Sequence, residues 1–431
     1  MKTIIFVLNN KTMSYIISIY FEKRRAKENG KFNIKLRVYN KLNNIKKVRY
    51  FTTGIDLTQE EFDTIWINAE NKKLRGKNKE ILFKLQDIEK RANVVAEQMT
   101  VFDFKKFEMK LFRKSSDKNN VQYHFEEVIK ENIKRGKIGT AESYKYTLNS
   151  FKEFSENEKK CAIDKLTFET ITADWLNDYE SFMVSKGKSY TTISIYTRTL
   201  RVVFNNAIAS NDINKEVYPF GLKKAGKYKI PKTKKVKKAL TSTQLKVLFN
   251  AEVKNENEAK AKAFWFFSYV CNGMNLKDVA LLKYSDIKDD KFSYYRAKTF
   301  DKTAEKTTIT IFLTDFTKQV IADYGNEVKS GFVFSIIDIK DDSLAQYKKI
   351  KNFTRYINDH IKRVAKANDL PNDLSTYWAR HSFATNSLRK GASMEFISEA
   401  LNHSDLSVTK NYFAGFEDDA KKEFANSLLD F

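Results

Sequence analysis

From Lys223 to Lys238 the chain reads Lys-Lys-Ala-Gly-Lys-Tyr-Lys-Ile-Pro-Lys-Thr-Lys-Lys-Val-Lys-Lys, without a single acid. Like charges at this density repel, proline removes a backbone donor and glycine adds freedom, so such a run stays extended. No hydrophobic core can pass through it. The chain is therefore expected to fold as separate bodies on either side, with residues 223–238 as a basic linker between them. A localisation signal or a solvated tether would have the same composition, but the position between two folded segments favours a strap over a polyanion. The whole chain agrees: 78 Lys and Arg against 54 Asp and Glu leave a formal charge of +24. An excess of that size suggests a partner whose phosphates release counterions on contact, although a lysine-rich proteome would account for part of it.

Hydrophobic period divides the N-terminal side further. Tyr15–Glu22, Phe32–Tyr39 and Ile45–Thr52 are β-branched and aromatic runs parted by the turns Glu28-Asn29-Gly30-Lys31 and Lys41-Leu42-Asn43-Asn44. Phe32, Ile34, Leu36 and Val38 alternate with Asn33, Lys35, Arg37 and Tyr39, which predicts a half-buried sheet with a basic, aromatic outer face. Thr58-Gln59-Glu60-Glu61 is a capping box that opens a helix. Residues 13–75 thus read as a small β-rich module and 76–117 as a connecting helix and linker. From 118 to 222 the period is helical, with helix starts expected at Thr140, Thr172 and Thr192. In the last of these Ile193, Tyr196, Leu200, Val203, Phe204 and Ala207 form one stripe, with Arg198 and Arg201 off it. Residues 239–431 return to a mixed, mainly helical pattern with a strand pair near Phe292–Lys298 and Thr307–Leu313. The fold class expected is multidomain α+β.

Several classes fall away. With 13 Gly and 3 Pro the chain is neither collagenous nor a many-turned all-β protein. Cys161 and Cys271 stand without a CxxC or a Cys/His spacing, so neither a disulfide framework nor structural zinc is expected. The apolar start Ile4-Ile5-Phe6-Val7-Leu8 is too short for a signal peptide, and no stretch approaches the ~20 residues that span a bilayer. A cytoplasmic protein without membrane partners is expected, with Met1 or Met13 as its start.

Two of the four histidines lie near the C-terminus, in Tyr377-Trp378-Ala379-Arg380-His381-Ser382 and in Leu401-Asn402-His403-Ser404-Asp405. Tyr412 follows His403 by nine residues. In type, spacing and order these segments resemble the C-terminal boxes of the tyrosine recombinase, or phage integrase, family. The form Tyr-x-Ala-Arg-His-Ser is similar to integrases of mobile elements in Bacteroidetes. The resemblance implies an arm-site DNA-binding module, an all-α SAM-like core-binding domain and a catalytic domain with a small antiparallel sheet. It also implies Arg380, His381, His403 and a nucleophilic Tyr412 as catalytic residues, with Lys298 as the family's hairpin lysine. Three positions depart from the family pattern. Asn275, in Asn272-Gly273-Met274-Asn275-Leu276-Lys277-Asp278, stands where the first catalytic arginine would be. Tyr377 replaces a histidine and stays a candidate catalytic residue, able to donate a hydrogen bond there but not to carry a positive charge, and Asn402 replaces the glycine before His403. Arg296, two residues from Lys298, faces the same side if both lie on a strand, and is the candidate substitute for the missing arginine.

These residue types suit the attack of a phenol on a phosphodiester. Guanidinium donors bind the non-bridging oxygens more tightly as charge gathers on them in the transition state. A phenol of pKa ~10 needs nearby cations to act at neutral pH, and a lysine can protonate the leaving 5′-oxygen. The resemblance implies a 3′-phosphotyrosyl intermediate formed without ATP, metal or cofactor. Its partners would be double-stranded DNA at core and arm sites, further copies of the chain in a synaptic tetramer, a DNA-bending protein and a directionality factor. DNA contacts are expected from Lys35, Arg37, Arg198, Arg201, Lys227, Lys229, Lys234 and Lys235. The alternatives are a promoter-switching invertase of the same family and, because of Asn275, a cleavage-deficient regulator. An apolar tail of Phe424, Leu428, Leu429 and Phe431 would pack in cis or dock on a neighbouring copy.

Overall fold

The computed structural model describes residues 6–8, 11–42, 45–69, 74–99, 101–232, 238–300, 307–403, 405–410, 421–422 and 425–426. They form two compact units, residues 1–119 and 120–431. Among the described residues no helix is long and apolar enough to cross a membrane.

The first unit is an antiparallel sheet in the order β1 (Phe6–Leu8), β2 (Lys11–Ala26), β3 (Phe32–Leu42), β4 (Ile45–Leu57). The alternation behaves as expected: Ile34, Leu36 and Val38 are buried. On the opposite face Lys35 pairs in register with Tyr20 and Thr52, and Arg37 with Ser18 and Tyr50. Thr58 closes its capping box with Glu61 at the start of α1 (Gln59–Phe62). Residues 76–117 do more than connect. Leu85, Ala92 and Ala96 of α2 (Gly76–Glu97) and Phe107 and Leu111 of α3 (Phe104–Phe112) share one core with Ile34, Leu36 and Phe51 of the sheet.

The second unit opens with four helices, α4 (Val121–Lys134), α5 (Ile138–Asn157), α6 (Ala173–Ser185) and α7 (Tyr190–Ala209). Thr172 caps α6, accepting from the Trp175 backbone N–H, and the α7 stripe is buried as expected. Two starts need correction. Thr140 lies inside α5, which begins at Ile138, and α7 begins at Tyr190 with Ser189 as its cap, ahead of Thr192. The basic run is also less extended than its charge suggests. Tyr228 belongs to the helical core with Phe220, and its hydroxyl donates to Glu180 at 2.5 Å. One buried aromatic ring anchored by a hydrogen bond outweighs the repulsion of its exposed lysine neighbours.

The rest of the unit comprises α8 (Ser242–Asn250), α9 (Glu256–Val270), α10 (Leu276–Leu281), β5 (Ile287–Lys288), β6 (Lys291–Tyr294), β7 (Ile309–Phe312), α11 (Asp315–Tyr324), α12 (Ser343–Ala367), α13 (Thr376–Arg389), α14 (Met394–Ala400) and α15 (Leu406–Lys410). Strands β5, β6 and β7 form one antiparallel sheet in that order. Its Phe292 and Ile311 pack with Phe264, Trp265 and Phe267 of α9 and Ile357 and Ile361 of α12. Each such side chain, once buried, contributes roughly 2–3 kcal/mol. The linker's far end is fixed to α13: the Leu240 backbone donates to Ser382 Oγ at 2.9 Å and accepts from Asn386 Nδ2 at 2.9 Å. Helices α5 and α12 meet as well. A Cβ on Gly139 would lie 3.3 Å from the Tyr347 ring, and Lys351 Nζ lies 5.9 Å from the Tyr146 and Tyr347 ring centroids.

Candidate active site

Helix α13 is apolar on almost no continuous face, yet more than half of it is buried, including Trp378, Arg380, His381, Ser382 and Asn386. A helix that buries polar groups on several sides must find partners for them. Ser382 and Asn386 take the linker. Arg380, 2% exposed, donates from Nη1 to the Gly273 carbonyl at 3.1 Å and from Nη2 to the Leu401 carbonyl at 2.7 Å. The same Nη2 lies 3.3 Å from His403 Nε2.

Gly273 holds this arrangement by having no side chain. Its φ of +65° is left-handed, and a Cβ there would stand 2.7 Å from Arg380 Cα. The atom it would strike is backbone, so α13 itself would have to move. Gly273→Ala is therefore expected to shift α13 and, if Arg380 has the role that the resemblance implies, to slow single-turnover DNA cleavage by about 100-fold, the cost of displacing such a group by some 1 Å. A thermal melt alongside separates displacement from unfolding. Cleavage within threefold of wild type would show that the loop is free to give way.

Asn275 is the cap residue of α10, and its side chain makes no capping hydrogen bond. Arg296, by contrast, is 6% exposed. Its Nη1 donates to Leu401 O at 3.3 Å, the oxygen that Arg380 Nη2 reaches at 2.7 Å. One carbonyl thus gathers two guanidinium groups. Arg296 Nε is buried with no hydrogen-bond partner among the described residues. Arg296 does not arrive there on a strand, because β6 ends at Tyr294 and Arg296 opens a turn in which its carbonyl accepts from Thr299 and Phe300. The inward alternation of Phe292 and Tyr294 nevertheless carries on to Arg296, whereas Lys298 is exposed. The two cations therefore do not share a face, contrary to the strand expectation.

Asp278 of α10 accepts from the Ala297 backbone N–H at 2.9 Å, which fixes the turn. Burial pushes its carboxyl above the ordinary range, against the pull of that N–H and of Arg296 and Arg380. A single buried acid cannot balance two buried guanidinium groups, and such a surplus of buried cation calls for an anion.

His403 follows Asn402, whose φ of +49° accounts for the glycine usual in this box. Asparagine tolerates that conformation. Its side chain also ties the hairpin to the site, accepting from Thr307 Oγ1 at 3.1 Å and donating to Thr307 O at 3.4 Å. The His403 ring is pushed down to about 3 by burial and then by the charges of Arg380, Arg296 and Lys298, so it is neutral at physiological pH. Its Nδ1 lies 2.9 Å from Thr409 Oγ1. Buried His381 meets the half-exposed Tyr377 ring edge to face, with centroids 4.5 Å apart.

The structure thus brings Arg380, His403 and Arg296 together, sets Lys298 within electrostatic reach, and places His381 beside Tyr377. Tyr412 lies outside the described residues, two past the last residue of α15, as do Lys234, Lys235 and the tail from Phe424 to Phe431 except 425–426. Of the other cations expected on DNA, Lys229 and Arg201 are exposed. Arg198 folds back on Ser194 Oγ, Lys227 donates to Tyr218 O at 2.6 Å, and Lys35 pairs with Glu22 at 3.0 Å. Arg37 is partly exposed on the outer sheet face. Sequence reasoning missed the Leu401 carbonyl, which no side-chain pattern can reveal, and missed Gly273 and Thr409. The position of Thr409, three before Tyr412, was the available signal.

Family profiles match two adjoining segments: the phage integrase SAM-like domain over residues 120–230 and the phage integrase family over residues 238–418. Tyrosine recombinase XerC of Staphylococcus epidermidis is 25% identical over 295 residues, covering 67% of this chain and 90% of that protein. Tyrosine recombinase XerC of Pediococcus pentosaceus is 24% identical over 250 residues, covering 55% and 75%. Among solved structures, the Tn1549 transposon integrase in complex with a circular intermediate DNA is 15% identical with a TM-score of 0.49, covering 72% of this chain and 99% of that one.

Proposed function

The chain belongs to the phage integrase family of tyrosine recombinases and is a site-specific DNA recombinase; from that premise we propose that it is the integrase of a mobile element and that its cleavage site is built around two buried arginines. The observation that carries this reading is the convergence of Arg296 and Arg380 on Leu401 O. Asn275 would leave a site of this kind one cation short, and Arg296 restores the count from a different element. The cleavage-deficient reading loses its motive accordingly.

In this account the scissile phosphate lies against Arg380 and Arg296, whose donors meet the non-bridging oxygens as charge accumulates. Arg380 holds N–H donors in a rigid plane beyond those it gives to Gly273 and Leu401, which a lysine cannot match. Tyr412 attacks phosphorus and forms the 3′-phosphotyrosyl bond while the P–O bond to the 5′-oxygen breaks. Lys298, exposed on its turn and able to move, delivers the proton to that oxygen. His403 is neutral and accepts rather than donates at Nε2, which suits it to take the phenolic proton once Arg380 turns its donor to the phosphate. Tyr377 holds the His381 ring from outside. The covalent bond keeps the energy of the phosphodiester, and a 5′-hydroxyl from another strand reverses the step.

The helical domain and the catalytic domain grip the core site, with the exposed Lys229 and, from the same basic run, Lys234 and Lys235 along its backbone, and the outer sheet face of the N-terminal unit, with Arg37, takes arm sites. Four copies assemble for strand exchange in the cytoplasm, assisted by a DNA-bending protein and a directionality factor. Strand exchange between two core sites from the element's own junctions is expected to proceed in EDTA without ATP, because the charges that stabilise the phosphate are the protein's own. A strict requirement for Mg²⁺ or ATP would count against the mechanism.

A further inference from the structure

One contact, between His403 and Thr409, has no part in the mechanism above. Thr409 is fully buried although it bears a hydroxyl, and that hydroxyl lies 2.9 Å from His403 Nδ1. On the other side of the ring His403 Nε2 lies 3.3 Å from Arg380 Nη2. A guanidinium has donors only, so Nε2 must be the accepting nitrogen and carries no proton. A neutral ring then keeps its proton on Nδ1, and the acceptor for it is Thr409 Oγ1. The two contacts together leave one tautomer.

We propose that Thr409 is the positioning residue of His403: it holds the ring as the Nδ1–H tautomer with the Nε2 lone pair turned to Arg380, and couples that alignment to the docking of α15. This deepens the reading of the site as the DNA-cleavage centre and rests on it. Thr409 sits in the last turn of α15, and the chain reaches Tyr412 three residues later. Withdrawing α15 would remove the histidine's partner. A ring released from Thr409 can place its proton on Nε2, where it would oppose Arg380 and could not accept from a phenol. A protomer whose α15 withdraws thereby loses the alignment of His403.

The test compares Thr409→Val, which keeps the shape and removes the hydroxyl, with Thr409→Ser, which restores it. The protein has four histidines, so ¹⁵N-histidine labelling with His403→Gln to assign the signal reads the tautomer directly in the full-length chain. Wild type and Thr409→Ser should show Nδ1–H at pH 7, and Thr409→Val should lose that preference. Single-turnover cleavage on a saturating nicked core site should fall by about 10–100-fold in Thr409→Val and stay within threefold of wild type in Thr409→Ser, at unchanged affinity for the site. An Nε2–H or charged His403 in wild type would overturn the proposal whatever the variants do. So would Thr409→Val cleaving as wild type does. Failure of wild type to cleave DNA, with the Nδ1–H tautomer present, would instead strike the proposed function and leave the positioning intact.

Discussion

Arg296→Ala is expected to lower single-turnover cleavage of a saturating core site by about 10²–10³-fold, the loss typical of removing one preorganised donor from a charged transition state. Arg380→Ala should lose at least as much, since Arg380 also orients His403 and binds the Gly273 loop. Core-site affinity should change little in either variant. Many phosphate contacts share the binding free energy, and two buried groups act chiefly once charge has gathered on a single phosphate. The double variant should fall short of the product of the two single effects, because both arginines address the same phosphate and lean on the same carbonyl. Arg296→Lys is informative as well. If point charge is all that matters it should rescue much of the rate; if the planar fork matters it should rescue little. Wild-type cleavage by Arg296→Ala, with Arg380→Ala inactive, would make Arg296 an ordinary buried side chain and leave the gap at Asn275 open.

How far the sequence alone reaches can be judged from particular residues. The sheet of the N-terminal unit was legible because Ile34, Leu36 and Val38 alternate cleanly with polar neighbours, and the caps at Thr58 and Thr172 were legible because short polar side chains precede apolar runs. Local signals of this kind act within a few residues. What stayed hidden depends on distant partners. Nothing near α2 and α3 says that they cover the sheet, since the apolar residues they meet lie some fifty positions earlier. Tyr228 sits among lysines whose charge dominates any local reading, and only Glu180 and Phe220 reveal it as core. Thr140 resembled a cap, but α5 starts two residues before it.

The candidate site divides the same way. Arg380, His381, His403 and Tyr412 stood out because their types, spacing and order resemble the family's C-terminal boxes; the structure brings Arg380 and His403 together, while Tyr412 lies outside the described residues. Arg296 could be suspected, though for a reason that proved incomplete: the strand ends before it, and the turn held by Asp278 is what puts it inside. The element that organises both arginines is the Leu401 backbone carbonyl, and a carbonyl leaves no trace in a sequence. Asn402 was read as a departure and turns out to meet the backbone requirement of the position while binding Thr307.

The second large effect concerns Tyr412. An oxygen nucleophile has no substitute in phenylalanine, so Tyr412→Phe should abolish covalent attachment while leaving core-site binding intact; the ring keeps its size and loses only the hydroxyl. The most direct measurement incubates the protein with a nicked suicide substrate from its element's junction, whose broken strand drifts away after cleavage and traps the intermediate. Wild type should yield a protein–DNA adduct that survives denaturation, with DNA joined through its 3′-phosphate, and Tyr412→Phe should yield none. An adduct that persists in Tyr412→Phe, or none with wild type on its own junction, would contradict the account.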